Sequence, residues 1–490
     1  MVVSSQQITN TYSAMKILHV SAECYPAAKA GGLGDVVGAL PKYLIHRGWP
    51  SAAVIPKYQL PWFQARQFEL VYTGAFRLQN VYYPFAVEKE QNDSLGFPLY
   101  VINLPGKFDR PGIYGDATGW YNDNAERWVY FQQAVLNWVL NMPEKPAVIH
   151  CHDHHSGLIP FMLQHSLEYR SISNIPTVFT IHNGEYHGSF GWDKHVLLPA
   201  FEASAAGMID WGGVINPLAS AIKCAWKVTT VSQTYLKELM VSSNGLEGLL
   251  RAESIKCSGI LNGIDAEVWD PAIDSYLPHH FNGNVAEFKA ANKYALQQHF
   301  QADLDLPVVT FIGRLVREKG ADLIPDLIAK VLSEGLGVTF LILGTGEPHI
   351  HEALVNLQWK FNRRCAIILA YNEGIAHQLY AGSDFLLMPS RVEPCGLNQM
   401  YSMRYGTIPI VRSVGGLSDT VIDIADPHLP GRGIRFDDFN LDDATVALYR
   451  AHELYHNPYV NEVRQRIMEL DFSWEGAAEN YIKIYSELED

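Results

Sequence analysis

The chain has 490 residues, 48% of them hydrophobic and 12% aromatic, which is enough apolar material for large cores and suggests two or three domains. Its net charge is −15, from 37 basic and 52 acidic residues without a basic tail or stripe, so nucleic acid is not an expected partner. No apolar run approaches the ~20 residues of a membrane span. The six cysteines form no Cys-x-x-Cys pair, and residues 1–14 are polar without the apolar core of a signal peptide. Reduced thiols and a cytoplasmic location are therefore expected.

Short apolar runs alternate with longer segments of helical periodicity along the whole chain. Runs this apolar are typical of parallel strands that helices cover on both faces, so the pattern predicts an α/β protein. The predicted strands are 16–20, 52–55, 99–103, 147–150, 177–181 and 227–231 in the first half, and 308–312, 339–343, 366–369, 384–388 and 408–411 in the second. Residues 265–284 are polar, contain two prolines and are predicted to lie near a linker.

A glycine-rich motif, Lys29-Ala-Gly-Gly-Leu-Gly-Asp-Val36, follows the first predicted strand and opens a segment with helical spacing. Gly31 and Gly32 would let a ligand approach the backbone, the helix N-terminus favours an anion, and Lys29 adds a positive charge. A similar turn with Gly415 and Gly416, followed by Leu-Ser-Asp, comes after the strand 408–411. The repetition suggests two α/β halves that face one ligand across a cleft.

Four histidines and an acid end the strand 147–150, namely His150, His152, Asp153, His154 and His155. These residue types bind zinc, but neighbouring residues at a strand end point in different directions, and the spacing is not that of His-x-x-x-His on a helix. No metal site is therefore predicted, and His150 is interpreted as a hydrogen-bonded structural residue. His182 and Asn183 end the next predicted strand in a comparable position.

Two cations follow the strand 308–312. Arg314 and Lys319 fall in the loop before a predicted helix, 321–332. Cations at the end of a parallel strand suit a diphosphate. The alternative is a pair of solvated surface charges, and the position directly after a buried strand favours a functional site.

The segment Pro389-Ser-Arg-Val-Glu-Pro-Cys-Gly-Leu-Asn-Gln-Met-Tyr401 predicts a turn between a buried strand and a helix. Its one carboxylate, Glu393, is followed by Pro394, Cys395 and Gly396. A helix N-terminus offers free N–H groups, and a carboxylate beside such donors can hold a sugar, whose hydroxyls need donors and acceptors together. The alternative is an acid that only caps the helix.

These motifs resemble those of bacterial glycogen synthases and plant starch synthases. The matches run in the family's order from about Ile17 to Tyr485 and include, besides the segments above, Thr180-Ile-His-Asn183, Val228-Thr-Thr-Val-Ser232, Leu261-Asn-Gly-Ile-Asp265 and Gly313-Arg-Leu. The resemblance implies the GT-B fold, with two Rossmann-like domains, 15–262 and 263–470, facing across a deep cleft, and a C-terminal helix in 471–490 that crosses back to the first domain. It also implies a retaining glucosyltransferase without cofactor or metal, with ADP-glucose as donor and the non-reducing 4-hydroxyl of an α-1,4-glucan as acceptor.

The resemblance also assigns roles to the candidate residues. The departing diphosphate would be stabilised by Arg314, Lys319 and the two Gly-Gly helix ends, with Lys29 nearby. The glucosyl ring would be held by Glu393 and by N–H groups near Cys395, Gly396 and Leu397. Sugar or acceptor contacts are expected from Asp153, His182 and Asn183. Position in the sequence, rather than the resemblance, makes Tyr114 in a turn-rich loop a further substrate-contact candidate and makes Tyr371, after the strand 366–369, a candidate for stacking on the nucleotide base. No nucleophilic carboxylate can be identified, which favours front-face attack assisted by the leaving phosphate.

A group of aromatic residues could form a glucan platform, but its spacing more simply indicates a helix packed on a sheet, and core is the preferred interpretation: Trp120, Tyr121, Trp128, Tyr130, Phe131 and Trp138. Several positions differ from those the family usually has and bear on acceptor preference: Ala30, His154, Gly184, Glu185, His187 and Val392. Two alternative functions stay open from the sequence. One is a GT-B transferase with another donor or a small acceptor, and the other is a catalytically silent glucan-binding regulator.

Overall fold

A computed structural model describes residues 15–116 and 119–489. The segment 1–14, for which no signal peptide is predicted, lies outside the described residues. Across the part that the structure describes, none of the helices has the length and apolarity needed to cross a membrane. The chain divides into two compact units. Unit 1 comprises 15–231, Leu236–Ile260 and 474–489. Unit 2 comprises Ser232–Tyr235 and Leu261–Ser473. The domain boundaries predicted from the sequence follow residues 262 and 470.

Most elements of the first half of the chain belong to unit 1. Its strands are β1 (Ile17–Val20), β2 (Ser51–Pro56), β3 (Phe68–Leu78), β4 (Val81–Glu90), β5 (Leu99–Asn103), β6 (Gly115–Asp116), β7 (Gly119–Trp120), β8 (Val148–His152), β9 (Thr177–Ile181), β10 (Asp210–Trp211), β11 (Val214–Ile215), β12 (Lys227–Thr230) and β13 (Cys257–Gly259). The helices are α1 (Gly32–His46), α2 (Pro61–Gln64), α3 (Asn124–Asn141), α4 (Ile159–His165), α5 (Ala206–Ile209), α6 (Pro217–Cys224), α7 (Gln233–Leu239) and α8 (Glu247–Ala252). The first three residues of α7 are assigned to unit 2 and the rest to unit 1.

The large sheet of unit 1 has nine strands in the order β13-β12-β9-β8-β1-β2-β5-β4-β3. Seven of them are parallel, and the hairpin β3–β4 adds two antiparallel strands at one edge. The parallel arrangement confirms the six strands predicted in this half. The sequence did not predict β3 and β4, because buried and exposed residues are mixed along both strands of this hairpin.

The first strand marks the point where the chain changes direction across this sheet. From β1 the chain proceeds to β2 on one side, whereas β8 pairs with β1 on the other side. Ligands of doubly wound sheets bind beyond the carboxyl ends of the strands at such a switch point. In unit 1 the residues in that position are the ones that follow Val20 and His152.

Unit 2 contains the remaining strands and most of the remaining helices. The strands are β14 (Val308–Ile312), β15 (Thr339–Leu343), β16 (Cys365–Ile368), β17 (Phe385–Met388), β18 (Ile408–Arg412) and β19 (Ile434–Phe436). The helices are α9 (Val285–Ala295), α10 (Ile324–Ser333), α11 (Pro348–Lys360), α12 (Glu373–Gly382), α13 (Asn398–Arg404), α14 (Gly415–Thr420), α15 (Leu441–Tyr455) and α16 (Val460–Met468).

The sheet of unit 2 is entirely parallel, with the order β16-β15-β14-β17-β18-β19. Numbered within the unit, this is the order 3-2-1-4-5-6 of a Rossmann sheet. The five strands predicted for this half are present. The switch point lies between β14 and β17, which pair although 72 residues lie between the end of β14 and the start of β17. The loops after Ile312 and Met388 therefore meet at the carboxyl edge.

The last helix, α17 (Trp474–Glu489), belongs to unit 1. Its apolar residues recur at three- and four-residue intervals, and Trp474, Ala478, Tyr481 and Tyr485 are buried against α1 and the sheet. The Tyr485 hydroxyl also lies 2.7 Å from Nδ1 of the buried His150. The hydrophobic periodicity of this C-terminal segment thus gives it a fixed place in the core of unit 1.

Candidate functional site

A charge pair occupies the switch point of unit 2. Glu393, in the loop after β17, accepts hydrogen bonds from Lys319 Nζ at 2.7 and 2.8 Å and from the Ser390 hydroxyl at 2.9 Å. The carboxylate is 8% exposed and the Lys319 side chain 24%. A carboxylate this buried needs such a partner, because an unpaired buried charge is costly. The structure thus joins two residues that the sequence predicted in separate motifs.

The loops after β14 and β17, which contain Lys319 and Glu393, contact each other through close packing and through hydrogen bonds of an arginine. Gly320 has φ +68°, and a side chain there would collide with the carbonyl of Pro389. Arg391 binds Asp322 through two hydrogen bonds of 2.5 and 2.7 Å, and its N–H donates to Glu318 O at 2.9 Å. These contacts fix the positions of Lys319 and Glu393 before any ligand binds.

Arg314 differs from Lys319 in its surroundings. Its side chain is 60% exposed, and Glu318 is 3.7 Å away. A guanidinium held this loosely can reorient towards a phosphate at small cost. Tyr371, predicted to stack on a base, follows β16 and is 79% exposed.

The second Gly-Gly turn packs tightly against the Glu393 loop. A side chain at Gly415 would collide with the Glu393 carbonyl, and one at Gly416 with the Cys395 carbonyl. The N–H of Gly416 donates to Glu393 O at 3.1 Å. These glycines therefore support the loop of Glu393 through backbone contacts. Their predicted contact with a phosphate stays a prediction.

The residues between Glu393 and α13 are also closely packed. Burial raises the pKa of the Cys395 thiol to about 12, so this cysteine is a neutral thiol near pH 7. Gly396 has φ +71° and lies against the Gln399 side chain, whose amide donates to the carbonyls of Cys395 and Gly396. Leu397 is the residue that precedes α13. The part of these three residues in holding a sugar stays a prediction.

A second group of polar residues lies at the switch point of unit 1, and its central residue, Glu23, was missed by sequence reasoning. Its carboxylate accepts from the N–H groups of Ala30 and Gly31 at 2.6 and 2.9 Å and from the Tyr114 hydroxyl at 2.5 Å. Burial raises the pKa of Glu23, and these hydrogen bonds oppose that shift. Glu23 could have been recognised as an acid that lies between the first strand and the glycine-rich turn.

The first Gly-Gly turn is more open than the second. Side chains at Gly31 and Gly32 would meet no atom within 4 Å. Lys29, predicted to bind phosphate, forms an ion pair of 2.6 Å with Asp35 and keeps 37% of its side chain exposed. The space beside the start of α1 and the exposure of Lys29 are compatible with an anionic ligand, whose binding here stays a prediction.

Asp153 follows β8 and has φ +53°, in the left-handed region that non-glycine residues seldom adopt. Its Oδ1 accepts from the N–H groups of His182 and Asn183 at 2.7 and 3.4 Å. The structure thus brings these three predicted residues together. Burial raises the pKa of Asp153 to about 7, with the charge of Glu23 adding a small contribution in the same direction.

The raised pKa of Asp153 has a consequence for stability. The folded chain keeps this carboxyl protonated between about pH 4 and 7, where the unfolded chain ionises it, so the free energy of unfolding falls as pH rises through that window. Asp153→Asn removes the titration and can still accept from the His182 N–H. We expect the melting temperature of the variant, relative to the parent chain, to rise from about pH 4 to 7 and to stay level above that. Thermal unfolding followed by circular dichroism would measure it.

The exposed Asp326 provides the control for that experiment. Asp326→Asn shows how far the loss of an exposed carboxylate alone changes the pH dependence of melting. A difference between the Asp153 variant and the parent chain that is constant from pH 4 to 8 would contradict a raised pKa at this position.

Three histidines, His19, His152 and His182, form a buried chain of rings. His19 Nδ1 lies 3.0 Å from His152 Nε2, and His152 Nδ1 lies 3.0 Å from His182 Nε2. Burial lowers the pKa of His19 and of His182 to about 3 and that of His152 well below its usual value. Neutral imidazoles carry one donor and one acceptor, so the proton positions in such a chain are linked.

His150 lies beside this chain and is fixed on both sides. Its two ring nitrogens bond Tyr485 at 2.7 Å and Thr180 at 2.6 Å. The hydrogen bonds agree with the structural role predicted from the sequence. The rings of His19, His150 and His152 nevertheless have nitrogen atoms within 4.8 Å of one another, which is a possible arrangement for a metal ion.

The aromatic residues near Tyr114 divide into two groups. Trp128, Tyr130, Phe131 and Trp138 are buried on α3, as predicted. Trp120 is 66% exposed on β7, so its assignment to the core is wrong. The error arose because helical spacing was extended backwards from α3 across a short hairpin, where side chains no longer follow the face of the helix.

Comparisons with known proteins give matches in both halves of the chain. Residues 16–252 match the sequence profile described as "Starch synthase catalytic domain", and residues 306–453 match "Glycosyl transferases group 1". A glycogen synthase from Flavobacterium johnsoniae is 46% identical over 475 residues, which cover 96% of this chain and 99% of the relative. The chain belongs to the glycogen and starch synthase family.

Solved structures support the same assignment for this synthase. The catalytic domain of starch synthase IV from Arabidopsis thaliana, bound to ADP and acarbose, superimposes with a TM-score of 0.86 at 31% identity, covering 97% of this chain and 100% of that one. Sucrose-phosphate synthase from Thermosynechococcus elongatus, at 18% identity and a TM-score of 0.60 over 97% of this chain and 99% of that one, shares the fold. The predicted GT-B fold and the predicted glycosyltransferase class are confirmed, and the synthase acts in glycogen or starch synthesis.

Proposed function

We propose that this synthase transfers glucose from ADP-glucose to the non-reducing 4-hydroxyl of an α-1,4-glucan with retention of the anomeric configuration. The observation that carries the proposal is the Glu393 carboxylate, held by Lys319 and Ser390 at the switch point of the sheet in unit 2. The starch synthase IV structure was solved with ADP and acarbose, which supports this donor nucleotide and an α-glucan acceptor.

The donor-side chemistry requires stabilisation of two developing charges. As the bond from the anomeric carbon to the diphosphate oxygen breaks, the diphosphate gains negative charge that the exposed Arg314 can stabilise. The glucosyl ring gains positive character, and Glu393 can hold its hydroxyls. Lys319 holds that carboxylate in one orientation in the absence of ligand, because its Nζ contacts both carboxylate oxygens.

Glu393 is better suited to holding a hydroxyl than to attacking carbon. Both of its oxygens already accept from Lys319, and one also accepts from Ser390, which lowers their nucleophilicity. Front-face substitution is therefore favoured. The acceptor oxygen forms its bond on the face that the diphosphate leaves, and the acceptor proton passes to the departing phosphate oxygen.

The groups of unit 1 complete the proposal. Asp153, His182 and Tyr114 lie within the hydrogen-bonded network at the ends of β1, β8 and β9. Their carboxyl, imidazole and phenol groups can exchange hydrogen bonds with sugar hydroxyls. We assign contacts with the glucose unit and the acceptor to these residues.

The direct test is transfer of radiolabelled glucose to glycogen. ADP-glucose, UDP-glucose and GDP-glucose are each offered with glycogen and with small sugars. Labelled polymer from ADP-glucose at a rate at least about tenfold above the other donors is expected. Preference for another donor, or transfer only to small sugars, would replace the proposal with a different GT-B transferase, and no transfer at all would indicate a glucan-binding protein.

Chelation tests whether the transfer depends on a metal. Because the side chains of Arg314 and Lys319 supply positive charge without a metal ion, we expect the transfer rate to stay within roughly twofold after exhaustive dialysis against EDTA. Loss of activity that one specific divalent ion restores would contradict this, and metal analysis of His19→Ala would then locate the ion. Dialysis without EDTA is the control.

A further inference from the structure

Two exposed aromatic side chains extend outward from the polar group of unit 1. Trp120 and Tyr186 are 66% and 46% exposed. The ring centroids of Tyr114 and Trp120 are 6.0 Å apart, and those of Trp120 and Tyr186 are 6.3 Å apart, with interplanar angles of 32° and 37°. We refer to Tyr114, Trp120 and Tyr186 as the aromatic row.

The backbone of Trp120 is held by the pairing of β7 with β6. Strands β6 and β7 pair Gly115 with Trp120, and a side chain at Gly115 would collide with the Gly119 carbonyl. Next to it, the Tyr121 N–H donates to Tyr114 O at 3.1 Å. Trp120 and Tyr114 are thereby fixed relative to each other, although neither lies in a long element.

The loop that contains Tyr186 is held by contacts of two histidines, His187 and His154. The ring nitrogens of His187 lie 3.2 Å from the Asn216 amide nitrogen and 3.2 Å from Ser243 O. The ring of His154 lies against Gly188 and forms a hydrogen bond with the Tyr186 backbone. The row is therefore preorganised, which reduces the entropy that a ligand would lose on ordering it.

Exposed, preorganised aromatic rings usually mark a binding surface. The row is continuous with the polar group, since the Tyr114 hydroxyl bonds Glu23 and the Tyr114 ring stacks at 5.0 Å on His155, two residues after Asp153. Neighbouring rings of the row are tilted by 32° and 37° and do not lie in one plane, which suits a curved chain of sugar rings. We propose that Trp120 and Tyr186 form a stacking site for the α-1,4-glucan acceptor chain, leading it towards Tyr114.

A second copy of the chain is a less suitable ligand for the aromatic row than a glucan. A stable protein interface buries about 800 Å² per partner, whereas three aromatic side chains bury at most 150–250 Å² each. A sugar chain needs only the ring faces, and its hydroxyls remain in solvent. The proposal rests on the proposed function for the identity of the glucan.

The test compares Trp120→Ala and Tyr186→Ala with Trp226→Ala. Trp226 is 48% exposed and directly precedes β12, so it lies at the amino edge of the same sheet, opposite the polar group. Binding of maltoheptaose is measured by calorimetry without donor, and KM for glycogen is measured with ADP-glucose. We expect both row variants to weaken maltoheptaose binding and to raise KM for glycogen by about tenfold or more, with kcat and KM for ADP-glucose nearly unchanged. Trp120→Phe should recover part of the loss.

The outcomes distinguish this inference from the proposed function. Weakened maltoheptaose binding in a chain that transfers no glucose from ADP-glucose would support the aromatic row and overturn the donor assignment. Normal transfer, with row variants that bind maltoheptaose as the Trp226 variant does, would overturn the row alone. A change of oligomeric state in Trp120→Ala on sedimentation, with unchanged maltoheptaose affinity, would also overturn it in favour of a contact between copies.

Discussion

Glu393→Gln is expected to lower kcat by roughly 10²–10³-fold while ADP affinity changes by less than about tenfold. The substitution keeps the shape of the side chain and removes the charge that we assign to the glucosyl ring. ADP lacks that ring, so its binding depends mainly on other groups. Melting temperature should fall as well, because Lys319, whose side chain is only 24% exposed, loses the partner that neutralises it.

The chain offers a matched pair as a control for this experiment. Glu334 accepts from Lys330 at 2.6 Å in an exposed helical pair, with side-chain exposures of 40% and 30%. Glu334→Gln should leave kcat and ADP affinity unchanged. Transfer rates, ADP titration by calorimetry and thermal melting of both variants distinguish a role of Glu393 in transfer from a purely structural role. A Glu393 variant with lowered stability and an unchanged kcat would make this residue a structural acid and remove it from the mechanism.

Arg314→Ala is expected to lower kcat by roughly 10²–10³-fold with an unchanged melting temperature. The side chain is 60% exposed and has only a loose contact of 3.7 Å with Glu318, so its removal leaves no buried group unpaired. ADP affinity should fall too, since ADP carries the diphosphate that the guanidinium contacts. Arg314→Lys should recover only part of the rate, because an ammonium group cannot form the two parallel hydrogen bonds of a guanidinium.

Arg317 provides the matched control in the same loop, since it is also an exposed arginine. Arg317→Ala should keep the parent rate. Lys319→Ala gives a useful contrast, because it would leave the Glu393 carboxylate, 8% exposed, without its partner and should lower both kcat and melting temperature. Equal rates for the Arg314 and Arg317 variants would show that the leaving group does not depend on Arg314.

Local sequence signals were sufficient to find most elements that carry the site. Buried parallel strands are short apolar runs, and glycine or proline ends them, so the runs before Gly313 and Pro389 could be recognised without tertiary information. Functional residues of doubly wound sheets lie just after such strands. This rule placed Arg314, Lys319, Asp153 and Glu393 among the candidates.

The same local signals failed where burial is decided by distant segments. Buried and exposed residues are mixed along the hairpin β3–β4, so its composition did not indicate a buried strand. Trp120 was assigned to the core because helical spacing was extended to it from α3, but it is exposed. Whether an aromatic residue is covered depends on what packs over it. Spacing along the chain does not contain that information.

By itself, the sequence determined the fold class, the family and the strand ends at which the chemistry must lie, because apolar runs, glycines and motif spacing are local properties of the chain. Only the tertiary structure showed which of these residues form hydrogen bonds and ion pairs with one another. Lys319 and Glu393, 74 residues apart, pair because β14 and β17 are neighbours in the sheet, and Tyr114 reaches Glu23 across 91 residues. Strand order is set by the packing of whole elements, and no segment of the chain encodes it separately.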